Sequence, residues 1–256
     1  MKRSLMAMCA ALLVLPTITA CSEPERAAPA APSPAKSSGE ESASAQLVFD
    51  RAHHMQASLW LAMHTRDAVI EGDLNEAKEA ARALASHDYG NTIPEDWKKW
   101  MGDVKKGAEG VVLAGGIEDA GQGVGAIALA CGNCHFHHNA GPEVQRAPPM
   151  EWRDSTDSVD ERMERHSAGI AQMWAGLVEP SEEAWRSGTI TLTRAPLAPP
   201  QTADGSVGPR AAAEIERVRE LAKRARTAGS HEERAQIYGE LVAGCGHCHT
   251  TTPRSM

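Results

Sequence analysis

The chain has 256 residues, 26 Lys+Arg against 34 Asp+Glu, and a formal net charge of -8. That length allows one large domain or two small ones, and a hydrophobic content of 42% is enough for a buried core. The acidic balance offers no basic patch for phosphate, so a nucleic-acid partner is not expected. Aromatic residues are 4% of the chain and mostly Trp, Ala is abundant, and β-branched runs are few, which favours helices and an all-α fold.

The chain opens with the marks of an export signal over residues 1–20. Lys2 and Arg3 precede an apolar run from Leu5 to Leu15, well short of the ~20 residues that span a bilayer. Ile18-Thr19-Ala20-Cys21 then resembles a bacterial lipobox. The resemblance implies lipidation of Cys21, and Ser22 after it implies the outer membrane as destination. An ordinary signal peptide cut near Ala20 is the alternative. No later stretch is apolar enough to span a membrane. Residues 21–45, rich in Pro, Ala, Ser and Glu, read as an extended linker. Losing Lys2 and Arg3 with the signal leaves a charge of about -10, which favours partners with basic docking surfaces.

Two helical halves follow, at 46–141 and 157–256. In the first, helical spacing runs from Leu47 to Glu71, and Gly72-Asp73 breaks it. Asp73 with Glu76 forms a capping box for a helix from Leu74 to Ser86. After a loop over 87–94, Pro94 suits the start of a third helix over 95–114. Gly115-Gly116 ends it, and Asp119 opens a fourth that reaches Cys131. In the second half, Val159 to Leu177 is one helix. Pro180-Ser181-Glu182-Glu183 starts a short second one ending near Gly188, and 189–208 reads as a long loop. Pro209 to Thr227 is a third helix, and Ser230 with Glu233 caps a fourth that runs to Cys245.

Each half ends on the same constellation: Cys131-Gly132-Asn133-Cys134-His135 and Cys245-Gly246-His247-Cys248-His249. Cys-x-x-Cys-His is the c-type haem attachment pattern: two thiols bond the haem edge and the adjacent His ligates iron. Two such haems are therefore expected, with His135 and His249 as proximal ligands. Three other uses of the thiols stay open. A disulfide framework suits an exported chain but leaves both His unexplained. A zinc site from all four thiolates does not need His135 or His249. Cys245-Gly246-His247-Cys248 matches a disulfide-isomerase site in letters, but that site needs a preceding strand.

The halves share an order of parts. The motifs are 114 residues apart, and Ile70-Glu71 and Val178-Glu179 match as ends of a first helix, 108 apart, so a duplicated unit is expected. With the mass of each half upstream of its motif, the layout resembles class II, cytochrome c-prime-like proteins. That resemblance implies two tandem four-helix-bundle-like units, each with the haem motif at the end of its last helix. It also implies that the residue facing iron opposite the proximal His comes from the first helix. It is Met in the low-spin type and apolar in the gas-binding type. His54 or Met55 is the candidate for the first haem and His166 for the second. One register places Met55 opposite His166; the other, set by the helix ends, pairs Met55 with Met163 and Ser58 with His166.

Among weaker features, His137 and His138 read as exposed, and His64 and His87 have no evident partner. Trp60, Trp97, Trp100, Trp174 and Trp185 read as packing helices and haem edges. Gly121-Gln122-Gly123-Val124-Gly125 reads as a stretch where a helix approaches a flat macrocycle. The function expected is electron transfer between redox proteins on the periplasmic side of a lipid-anchored chain, not enzymatic catalysis. Binding of nitric oxide or carbon monoxide at an open iron is the alternative.

Overall fold

A computed structural model describes residues 38–141, 159–194 and 209–251. The export signal, Cys21 and the linker up to residue 37 lie outside the described residues. Among the described residues the chain is all-α: eight α-helices and one short 3₁₀ turn at Glu95–Trp97. The helices are α1 (Ser38–Glu71), α2 (Leu74–Ser86), α3 (Lys98–Val112), α4 (Ile117–His138), α5 (Val159–Val178), α6 (Glu182–Arg194), α7 (Pro209–Ala225) and α8 (His231–Thr251).

Local chemistry sets the helix ends. Asp73 Oδ1 accepts from Glu76 N–H at 3.0 Å, Ser230 Oγ from Glu233 N–H at 3.1 Å, and Ser181 Oγ from Ala184 N–H at 3.3 Å. Each satisfies one of the amides that a helix start leaves without a partner. Gly72, at φ 78°, ends α1 in a conformation that favours glycine, and Asn139, at φ 47°, ends α4. Several boundaries differ from those expected: α4 and α8 run on through their motifs to His138 and Thr251, and a 3₁₀ turn precedes α3. α1 begins at Ser38, inside the stretch read as linker, because its Glu and Ala residues are good helix formers despite the polar composition. α6 does not stop near Gly188 but runs to Arg194. Gly188 is needed there because a Cβ would meet the Gly169 carbonyl oxygen on α5 at 2.6 Å. Its backbone is helical and its missing side chain serves packing.

The described residues from Ser42 onward belong to one compact unit. The main apolar core draws on every helix, from Val69 on α1 through Leu84, Val111 and Ile127 to Leu192 and Leu241, and a smaller cluster gathers Tyr89, Ile93 and Met101. Burial of such side chains is the main favourable term, at roughly 1.5–3 kcal/mol for each large aliphatic.

α4 and α8 cross antiparallel at the centre. A Cβ on Gly239 would meet the Gly121 carbonyl oxygen at 2.6 Å, and a Cβ on Gly125 would overlap the Ala235 carbonyl oxygen. These contacts exchange under a shift of 114 residues: Gly121 corresponds to Ala235 and Gly125 to Gly239. Gly121 and Gly125 therefore serve α4–α8 backbone contact and Gly123 serves contact with α3, where a Cβ would meet Val111 N at 2.9 Å, which corrects the expected use of the stretch against a flat macrocycle. α1 and α2 correspond to α5 and α6 under the other shift, of 108 residues. Leu74–Ser86 maps onto Glu182–Arg194, and the Asp73 cap maps onto the Ser181 cap.

Candidate functional site

α4 remains helical through the first motif, so Cys131, Cys134 and His135 sit on neighbouring turns near its C-terminus. They border a cavity of about 430 Å³. Opposite them, α1 contributes Met55, Ser58 and Leu59, and α3 contributes Met101 and Val104. Trp97 and His138 border it as well. The wall is mainly apolar.

His135 Nδ1 lies 2.6 Å from the Val178 carbonyl oxygen at the end of α5. That carbonyl can only accept, so Nδ1 carries the proton and Nε2 holds the lone pair. Such a bond fixes the ring and its tautomer in metal-ligating His. Burial pulls the His135 pKa down, partly opposed by the Val178 carbonyl, which favours the neutral imidazole that a metal needs. Sequence reading missed Val178, although its pairing with Ile70 as a helix end marked the place.

Cys131, Cys134, Cys245 and Cys248 form no disulfide. Burial pushes Cys131 up to about 12, with Cys134 adding to it, and burial and Cys248 push Cys245 up to about 12. Cys134 rises to about 11 by burial and the charge of Asp96. Reactive redox dithiols need the opposite shift. The antiparallel crossing of α4 and α8 also sends the two motifs to opposite ends of the pair, so four thiolates cannot share one zinc. Among the described residues no group of three or more His, Cys, Asp or Glu could hold a bare metal ion, and there is no strand to support a thioredoxin-type site.

The two first-helix candidates for the first motif separate. Met55 borders the cavity, whereas His54 Nδ1 lies 3.1 Å from His87 Nε2. His87 thereby has a partner, and His64 has one in Glu76 at 2.9 Å. Ser58 Oγ, also bordering the cavity, bonds the Tyr89 hydroxyl at 2.9 Å and donates to the His54 carbonyl at 2.9 Å. His138 is not a free surface residue: its side chain is 12% exposed and its ring lies 4.9 Å from that of Trp97. His137 is exposed, as expected. Trp60 is 63% exposed and lies beside His64, so it does not pack between helices. Trp174 and Trp185 are buried; Trp185 Nε1 donates to the Ala225 carbonyl at 2.9 Å.

The second motif sits at the C-terminal end of α8 against the end of α1. A Cβ on Gly246 would overlap the Val69 carbonyl oxygen and meet Ile117 Cγ2 at 2.8 Å. The first motif repeats this: a Cβ on Gly132 would overlap the Leu177 carbonyl oxygen and meet His231 Nε2 at 2.6 Å. Gly132 and Gly246, Val69 and Leu177, and Ile117 and His231 are equivalent pairs under the two shifts. Each motif is thus backed by the first helix of the other half. His247 Nε2 also pairs with Glu118 Oε1 on α4 at 2.7 Å. On α5, His166 is buried and Met163 half-buried; the shift of 108 residues pairs them with Ser58 and Met55. No family model, curated protein or solved structure matches the chain.

Proposed function

We propose that the protein is an exported dihaem c-type cytochrome that passes single electrons between periplasmic redox proteins. The observation that carries this reading is the first motif's surroundings. Two thiols and a His whose Nδ1 is engaged border one apolar cavity, and a Met borders it from the facing helix. Cys131 and Cys134 would hold the first haem covalently, with His135 on iron; Cys245, Cys248 and His249 would do the same for the second. Bound haem supplies a ferric–ferrous couple, the one-electron chemistry that no side chain here provides.

The residues of this chain would bind, orient and shield. The Val178 carbonyl holds the His135 ring, and Leu59, Met101 and Val104 give the cavity an apolar wall. Met55 is the candidate sixth ligand at the first site. At the second, the helix-end register supports Met163 beside His166. In this reading α1–α4 and α5–α8 are two four-helix units from a duplication, and the exchanged Gly121–Gly239 and Gly125–Ala235 contacts support it. Cys21 would carry a lipid anchor toward the outer membrane, and the acidic surface would meet basic docking faces on partners.

The test is mass spectrometry and the ferrous optical spectrum of protein matured in a periplasm competent for c-type haem attachment. Two haems per chain and a sharp low-spin spectrum unmoved by carbon monoxide are expected. A carbon monoxide shift on half of the haem would mean one open iron and gas binding; absence of haem would end the proposal. Cys21→Ser should abolish incorporation of a labelled fatty acid and leave the signal uncleaved, read as a heavier chain by mass.

A further inference from the structure

Arg66 is a cation buried in the core. It is 7% exposed, and its guanidinium carbon lies 5.3 Å from the centre of the Trp174 ring. Its Nε and one terminal nitrogen both reach Asp67 Oδ1, at 2.7 and 2.6 Å. Burial works against the charge, and Tyr238 and Asp67 more than offset it. Asp67 is half-exposed, so water screens the carboxylate far more than the guanidinium. Arg66 and Trp174 correspond under the shift of 108 residues, so the stack joins equivalent positions of the two halves.

Its location gives the charge two neighbours. Arg66 lies three residues before Val69, whose carbonyl backs Gly246 in the second motif. Trp174 lies four residues before Val178, whose carbonyl accepts from His135 in the first. Each step is about one helical turn, or ~5.4 Å. The buried cation therefore stacks across α1 and α5 about one turn before the carbonyl that backs each motif.

We propose that Arg66 is a shared positioning charge that raises the reduction potential of both haem sites together, with Asp67 trimming its effect. This rests on the dihaem reading above. Reducing either site adds one electron and removes one positive charge, so a fixed cation nearby favours the reduced state. In low-dielectric surroundings the effect reaches over several turns.

The experiment is a mediated potentiometric titration of the full chain, followed optically, after haem is counted by mass. The variants are Arg66→Met, Arg66→Lys, Asp67→Asn and the double variant Arg66→Met with Asp67→Asn. The expected result is that Arg66→Met lowers both potentials and Asp67→Asn raises both. Arg66→Lys should stay near the parent, and the double variant should fall between the two singles. Opposite signs are the signature of charge, because a loosened, wetter core would move both singles the same way. Two haems with unmoved potentials, same-direction shifts or a shift at one haem alone would overturn this proposal and leave the dihaem reading standing. No haem in the parent would end both. If Arg66→Met does not mature, Asp67→Asn decides, since it leaves Arg66 in place.

Discussion

His135 Nδ1 and the Val178 carbonyl oxygen meet at 2.6 Å, although 43 residues separate them in the chain. The His of one motif is therefore oriented by the end of a helix from the other half. Neither half contains all of the first site.

The close approach behind the motifs predicts strong sensitivity to one carbon. Gly132→Ala and Gly246→Ala would each drive a Cβ into a carbonyl oxygen, of Leu177 and Val69. Each should destabilise the fold by about 1–3 kcal/mol, despite the better helix propensity of Ala. Gly102→Ala on α3, with open space at its Cβ, should instead gain about 0.5–1 kcal/mol. Urea unfolding midpoints at constant slope would show both effects.

Met55 and His54 are neighbours with different expected roles. Met55→Ala should open the first haem, so that carbon monoxide shifts half of the ferrous absorbance. His54→Ala should leave that spectrum unchanged, because its ring faces His87 and not the cavity. A low-spin spectrum retained in Met55→Ala would exclude Met55 as the ligand.

Acid should weaken the fold through half-buried histidines. Burial lowers the His231 pKa; burial, then His54 and Lys105, lower that of His87. Above the ordinary value of 6.5 both states are neutral and nothing is lost. As pH falls through 6.5 the unfolded chain takes protons first, so stability declines until the folded chain also protonates. His87→Gln with His231→Gln should flatten the pH dependence of the urea midpoint between pH 7.5 and 5.5. An unchanged slope would mean that other groups carry it.

Two helix caps should prove equivalent. Asp73→Ala and Ser181→Ala each remove the side-chain acceptor at matching helix starts. Each should cost about 0.5–2 kcal/mol in thermal or urea unfolding.

The elements that sequence foretold are those with local causes. Asp73 and Ser230 announce their helices because a cap is satisfied within three residues. The register of Ile70 with Val178 was visible for the same reason. What stayed hidden depends on partners far along the chain. Gly188 looks like a helix end until α5 is seen passing over it. Gly121 looks like a ligand contact until Gly239 is placed against it. The Val178 carbonyl carries no residue signature, since any residue has one. Between His54 and Met55, one residue of helix is a turn of roughly 100°, and only the position of Tyr89 and His87 shows which faces the cavity.

The α4–α8 crossing has a consequence for the chain cut in two. Gly121 and Gly125 offer one groove of small residues, and Ala235 and Gly239 offer its counterpart. A stripe that accepts its own duplicate accepts itself. Residues 46–141 expressed alone should therefore associate as symmetric pairs, each copy lending the end of its α1 to the other's Gly132. On the duplication proposed above, the chain would correspond to such a dimer fused into one polypeptide, with freedom for its halves to diverge that two identical subunits lack.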